Sequence, residues 1–545
     1  MRFQFRRQLG FAPAGNPPVF GRALLSCLGR IGGPSIESRR EADGAGRDIE
    51  VKRMYGPAKS KRSHRLSAGH RLCAPAAKVL VSGFLAAVLP LAVFASCARA
   101  ETMNSALARA YGGNPDLNQS RASVRARDEE SPKASAGMRP KASITASAGP
   151  ESAAIRIPAG RNSLTGQRAY YSDQYLGKPR GATLNLSQTL FDGGKTVNSV
   201  RQAESSVLSA RASMRQTEQS ILQTAATSYM NVLRDTAILA LRKSNVSVLD
   251  QQLRLTRDRF DVGEVTRTDV AQAEASLAQA RSDVYAAEGV LKISVASYRQ
   301  VVGVDPKRLD PGQSVEKLLP KSLNEAISGA LLQNPAIIGA EHQVDVAALA
   351  VKVAESALSP TVSVTAQVGQ QYDSFLGEPG SRQFSAQATG SLNIPLYQGG
   401  SEYASIRQAK EQLGQARLSA DLQRDNVRVS VVSSFAQLET AKASIISNQA
   451  TVKAAEIALL GVREEAKVGQ RTTLDVLNAQ QALLNARVNL VIAQRDRIVA
   501  SYAALAAIGR LTASDLRLDV VEYDPSVHFD QVKDQWIGIG TPDGR

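Results

Sequence analysis

Three cysteines and four histidines are the thiols and imidazoles of this 545-residue chain, and their placement excludes most chemistry. Cys27, Cys73 and Cys97 all precede residue 101, so the remaining body has no thiol, no disulfide and no cysteine-based metal site. Only His342 and His528 fall in that body, far apart in sequence. No nucleophile–base motif, ligand cluster or phosphate-binding glycine loop accompanies them. Neither catalysis nor a cofactor is expected.

What remains able to act is charge. The formal net charge of +16 suggests a nucleic-acid partner until its location is read. Residues 1–100 hold 17 of the 66 basic and 5 of the 50 acidic side chains, so the body carries about +4. No nucleic-acid partner is expected. Residues 1–77 are arginine-rich and aperiodic, which reads as a basic leader absent from the mature protein; a start near Met54 would account for them. Residues 78–100 read as a signal peptide. Lys78 precedes an apolar run, Val79 to Ala95, and Ala98-Arg99-Ala100 places small residues three and one before Glu101. The run falls short of the ~20 residues that a membrane-spanning helix needs. A lipobox-like Ala95-Ser96-Cys97 is the alternative, with Phe94 where leucine is usual.

The elements that must position the body's charges come in two copies. Asn114-Pro115 recurs as Asn334-Pro335, Leu190 to Gly194 as Leu396 to Gly400, Val262-Gly263 as Val468-Gly469, and Asp269-Val270 as Asp475-Val476. The first repeat spans 101–305, the second 306–510, and 511–545 is a tail outside the pattern. The length difference falls between Pro140 and Leu190, where a loop is expected. Period-two alternation predicts strands at about 140–150 and 181–191, then at about 361–369 and 388–397, apolar on one face and polar on a lumen face. Helices are predicted over 195–302 and 401–508. The proline-free stretch from Lys195 to Asp261 would run about 100 Å, too long for a globular core.

Heptad seams line the return segments: Val270, Leu277, Val284, Leu291 and Tyr298 with Ala273, Ala280 and Ala287, and Val476, Leu483 and Leu490 with Ala479, Ala486, Ala493 and Ala500. Pro132 predicts a kink or break with no counterpart in the second repeat. Tyr170, Tyr171, Tyr175, Phe191, Phe375, Phe384 and Tyr397 flank strand ends as an interfacial aromatic girdle would. Four strands cannot close a barrel, and an open edge is not tolerated in lipid. Copies must pool strands, two giving eight and three giving twelve.

The doubled turn segments, VGEVTRTDVAQAEASLAQAR (Val262–Arg281) and VGQRTTLDVLNAQQALLNAR (Val468–Arg487), resemble those of the TolC family of outer-membrane export ducts, the first especially its type I secretion branch. The resemblance spans roughly 101–510. It implies an α+β membrane protein whose homotrimer forms a 12-stranded β-barrel in the outer membrane and an α-helical periplasmic tunnel. It further implies protein or small-molecule export with a periplasmic adaptor and an inner-membrane ABC or other export transporter. The two helix–helix turns would form the tunnel's tip. By match to the family, Arg471 would latch to Thr268 and Asp269 of a neighbouring copy, and Asp475 would supply an acidic ring at the entrance. Gly263, Glu264, Gly469 and Gln470 would meet the adaptor. Ala466 stands where some members have a locking tyrosine and Asn478 where a second acidic ring occurs, which implies a looser lock and a weaker ring. The rival expectation is a periplasmic structural or adaptor coiled coil without a channel.

Overall fold

The computed structural model describes residues 101–373, 380–542 and 544. The leader, the signal peptide with its Cys97 alternative, and Phe375 lie outside them. In chain order the first pass is α1 (Met103–Gly113), α2 (Pro115–Asp128), α3 (Glu130–Ser135), β1 (Lys141–Ala148), β2 (Glu151–Arg161), β3 (Arg168–Gly177), β4 (Arg180–Phe191), α4 (Lys195–Asp261) and α5 (Arg267–Val302). The second pass is α6 (Leu323–Gln333), α7 (Pro335–Glu355), β5 (Thr361–Tyr372), β6 (Arg382–Asn393), α8 (Ser401–Lys467) and α9 (Thr473–Ile508), and the tail carries α10 (Pro525–Val532).

The repeated Asn-Pro pair explains how the helices change partners midway. Asn114 and Asn334 cap α2 and α7, each accepting a backbone N–H at 2.9 Å, with proline at the first helical position where its missing N–H costs nothing. Their side-chain amides also donate to the ends of the return helices, Asn114 to Val301 O at 3.1 Å and Asn334 to Ala507 O at 2.9 Å. The start of α2 therefore meets the end of α5, and the start of α7 the end of α9. Gly509, at φ +95°, is fitted to this junction, since a Cβ there would lie 2.7 Å from Asn334 Cα. On one side of the junction the packing order is α5–α4–α9–α8; on the other it is α2–α4–α7–α8. The 67-residue helices α4 and α8 run through both layers. The first pass breaks at Glu129, three residues before Pro132, whereas α7 continues unbroken.

The four strands β1–β4–β5–β6 form one antiparallel sheet in that order. Because cross-strand partners share a face, the register sorts the side chains cleanly. Ala142, Leu186, Ala366 and Ala388 make one apolar row, and Ile144, Leu184, Val368 and Ala386 the next. The opposite face shows Ser143, Asn185, Gln367 and Gln387, then Thr145, Thr183, Gly369 and Ser385, then Ser147, Gly181, Gln371 and Gln383. Those three polar rows hold no charge.

The expected loop between Pro140 and Leu190 is instead a ribbon. β2 and β3 pair with each other and prolong the β1–β4 hairpin past Pro150 and Pro179. Hydrophobic alternation misses such strands because a two-stranded ribbon has no buried face to demand it. Tyr170 and Tyr171 thus lie on the ribbon, beyond the sheet whose girdle they were expected to join. In the second repeat the hairpin sits further out than expected, with β5 reaching Tyr372 and β6 ending at Asn393. Pro395, lacking an N–H, cannot extend the ladder.

The tail folds back on the first repeat. Leu511, Ala513, Leu516 and Leu518 join the buried cluster of Leu107, Leu222, Tyr229 and Tyr298. Farther along, Tyr523 N donates to Tyr111 Oη at 3.1 Å, and Arg139 donates to Gln535 O at 2.7 Å while lying over the Trp536 ring. His528 Nδ1 lies 2.9 Å from the fully buried Asp128 carboxylate, whose pKa burial pushes up. Among the described residues no helix is long and apolar enough to cross a membrane.

Candidate functional site

The two helix–helix turns share one backbone design. α4 ends with Gly263 at φ +81°, where Glu264 N donates to Arg259 O and Gly263 N to Phe260 O, both at 2.9 Å. α8 ends with Gly469 at φ +77°, where Gln470 N donates to Glu465 O at 3.0 Å and Gly469 N to Ala466 O at 3.4 Å. These are Schellman closures, which need a residue free to take positive φ.

The return helices then start with matching capping boxes. Asp269 Oδ2 accepts from Thr266 N at 3.0 Å and from Thr266 Oγ1 at 2.7 Å, and Asp269 N donates back to that hydroxyl at 3.3 Å. Asp475 Oδ2 accepts from Thr472 N at 3.0 Å and Thr472 Oγ1 at 2.9 Å, and its N–H returns a bond at 3.2 Å. Both aspartates therefore hold a helix start, a task that sequence reasoning overlooked. The signal was present: threonine followed three residues later by an acid, ahead of an apolar seam.

The side chains around these turns differ. Arg471 Nε donates to Glu465 Oε2 at 2.8 Å across the second turn, and that partner raises the guanidinium pKa further. The bonds from Thr472 hold the Asp475 carboxyl below its ordinary value, with the positive charge of Arg471 acting in the same direction. Sequence reasoning also missed Glu465, which reaches Arg471 only because the turn folds back. In the first turn Val265 occupies the position of Arg471, and the ion pair there joins Arg259 to Glu264 at 3.8 Å. Thr268 is exposed, and its counterpart is Leu474. Among the described residues no ion pair within the protomer joins Arg471 to Asp269.

Behind the turns the two coils repeat their cross-links. Arg257 bonds Glu274 as Arg463 bonds Gln480, and Arg281 faces Asp250 at 3.7 Å as Arg487 bonds Glu456 at 2.8 Å. The first coil has an added buttress, in which Leu249, Leu253, Leu277 and Ala280 pack with Leu477 of α9. No group of acids, histidines or cysteines able to hold a metal ion occurs among the described residues.

An antiparallel sheet with one largely apolar face and three uncharged polar rows on the other, joined to paired coils ending in matched turns, has known parallels. The family model for outer membrane efflux proteins matches residues 106–304 and 326–510. The chain belongs to the outer membrane efflux protein family. It is 42% identical to the outer membrane efflux protein BepC of Brucella suis biovar 1 (strain 1330) over 86% of this chain and 97% of that one. It is 26% identical to the outer membrane protein TolC of Escherichia coli (strain K12), over 78% of this chain and 86% of that protein. The fold is similar to that of the Campylobacter jejuni CmeC outer membrane channel, with a TM-score of 0.62 at 18% identity, covering 79% of this chain and 89% of that one. As a member of this efflux family the chain is a transport-channel protein of the outer membrane, with its helical part in the periplasm. The expected α+β fold and the TolC resemblance stand.

Proposed function

We propose that three copies of this chain assemble into a conducting duct that receives cargo from an inner-membrane transporter through a periplasmic adaptor. The observation that carries this reading is the sheet with two unpaired edges. β1 runs away from the helices and β6 runs back toward them, so β6 of one copy can pair with β1 of the next while keeping every neighbour antiparallel. Twelve strands result from three copies, with the apolar face toward lipid and the amide and hydroxyl rows lining the passage. The helical layer has matching open edges, α5 and α8, which expose Tyr285 and Ile293 on one and Ile446 and Ile457 on the other. Apolar edges of this kind favour self-association.

At the tip, Arg471 would exchange Glu465 for Thr268 and Asp269 of the neighbouring copy, latching the entrance closed. Three Asp475 carboxylates around a constriction would favour cations. Gly263, Glu264, Gly469 and Gln470 lie on the outermost turns, where an adaptor would dock. Small-molecule efflux is the cargo reading favoured by the 42% identity to an efflux protein. Protein secretion is the second reading, favoured by the Val262–Arg281 turn segment. Crosslinking of purified protein together with planar-bilayer recording tests the proposal. A heat-resistant trimer with discrete conductance steps is expected, and a soluble monomer that leaves bilayers silent would overturn it.

A further inference from the structure

The outward end of the sheet gathers cations where its apolar face stops. Arg180, Tyr372 and Arg382 are cross-strand partners in one row, on the same face as Leu184, Val368 and Ala386. The Tyr372 ring lies between the two guanidinium groups, 5.6 Å from Arg180 and 5.7 Å from Arg382. Asp373 meets Arg180 at 3.3 Å. Among the described residues Arg382 has no carboxylate partner.

Beyond that row stands the β2–β3 ribbon. Arg156 stacks over Tyr170 at 4.1 Å, and Arg161 and Arg168 are opposed in register beside its turn. Like charges directly opposite one another disfavour the pairing, so the ribbon's tip invites an anion. The ribbon also exposes Leu164, Tyr171 and Leu176.

Height decides which anion. From Val362, beside Phe191 at the helix end, to Tyr372 the apolar face runs ten residues, about 34 Å along the strand, or roughly 26 Å at a 40° tilt. That matches the ~25 Å apolar band of membrane barrels. The Arg180–Tyr372–Arg382 row thus falls at headgroup level on the side away from the periplasmic helices, which is the outer leaflet. We propose that this row, extended by the arginines beside the ribbon's turn, docks phosphate-bearing headgroups of outer-leaflet lipid. The inference rests on the barrel reading above. Guanidinium groups bind phosphate through paired N–H donors, and an aromatic ring set between them suits an interface with one wet and one oily side. Lipid, not a protein, fits because the row continues the lipid-facing surface, with Gln370 the one polar side chain in the row between.

Native mass spectrometry of the full-length trimer tests this, with diphosphoryl lipid A and its dephosphorylated form as probes. Wild type should retain the diphosphoryl form preferentially, and Arg180→Gln/Arg382→Gln should weaken that preference by about fivefold for each charge removed. Arg161→Gln/Arg168→Gln should weaken it less, and Arg424→Gln, which breaks an α8 ion pair far from the barrel, should leave it intact. Equal retention of both lipids by wild type would overturn the proposal, as would an undiminished preference in the Arg180/Arg382 variant. Should that double variant fail to assemble, Arg382→Gln alone gives the same reading. Planar-bilayer conductance from the same preparations separates the failures: a conducting trimer without phosphate preference sinks only this inference, whereas absent conductance sinks the barrel itself.

Discussion

The two tip turns are near copies in backbone and unlike in side chains, and the internal repeat therefore serves as its own control. Gly263 and Gly469 close the same Schellman motif, and Asp269 and Asp475 cap the same helix start. Features common to both turns are what any such turn needs to fold. Arg471, where the first turn has Val265, and Thr268, where the second has Leu474, are features of one copy only. A specialised role is better sought in those. The coils behind the turns differ too: Leu249 of the first buttress corresponds to Ala455 in the second, so the second tip is packed less firmly.

The largest effect should come from breaking that buttress. Leu277→Ala empties a buried position in the first coil and should cost about 3 kcal/mol, whereas Leu483→Ala, outside such a cluster, should cost about 2 kcal/mol. Limited trypsinolysis at Arg259 and Arg267, against Arg463 and Arg471, reports the two tips separately. Equal acceleration at both would show that Leu477 and its neighbours do not set the first tip apart.

Next in size is the unmatched arginine. Arg471→Ser should raise single-channel conductance severalfold, while Val265→Ser, at the equivalent place in the other turn, should leave it unchanged. If both substitutions behave alike, the asymmetry between the turns has no bearing on closure.

Much of this architecture is legible in the sequence. Val262-Gly263 and Asp269-Val270 recur at one common spacing, which aligned the two turns, and four alternating segments announced a two-faced sheet. Long proline-free stretches announced α4 and α8, and Pro132 announced the break at Glu129. What escaped has a common cause. The β2–β3 ribbon buries nothing, so no hydrophobic period marks it. Glu465 meets Arg471 only after a positive-φ glycine reverses the chain, and Asn114 reaches Val301 only after α5 has returned from the tip. Such contacts depend on where remote segments end, which periodicity does not encode. The aspartates were legible as charges, but their caps required reading them together with the threonines three residues earlier.

That double duty of Asp475 separates charge from fold. Asp475→Asn keeps an oxygen able to accept from Thr472 N–H, so the helix start should survive while cation preference falls. Asp475→Ala should lose both, with fraying detectable by hydrogen exchange at Thr473 to Leu477. Asp269→Asn should alter selectivity less, because the acidic ring is assigned to Asp475 alone. A loss of selectivity equal to that of Asp475→Asn would place both aspartates on the ion path.

The smallest effect is a displacement on the pH axis, and its sign follows from the bonds. Thr472 donors favour the ionised carboxyl of Asp475, so its folded pKa lies below the ordinary 3.8. A lowered folded value means that the cap's contribution is whole above the ordinary pKa and fades as pH falls through the lowered one. With the cap intact, cation preference in bilayers should therefore persist to lower pH than it does once the Thr472 hydroxyl is removed. Thr472→Val removes the hydroxyl donor, leaves the backbone donor in place, and should move the midpoint of that loss up. Thr472→Ser, which keeps the hydroxyl, should leave it low. A midpoint that ignores both substitutions would assign the titration to another carboxylate, and the second turn would lose its claim to the ion path.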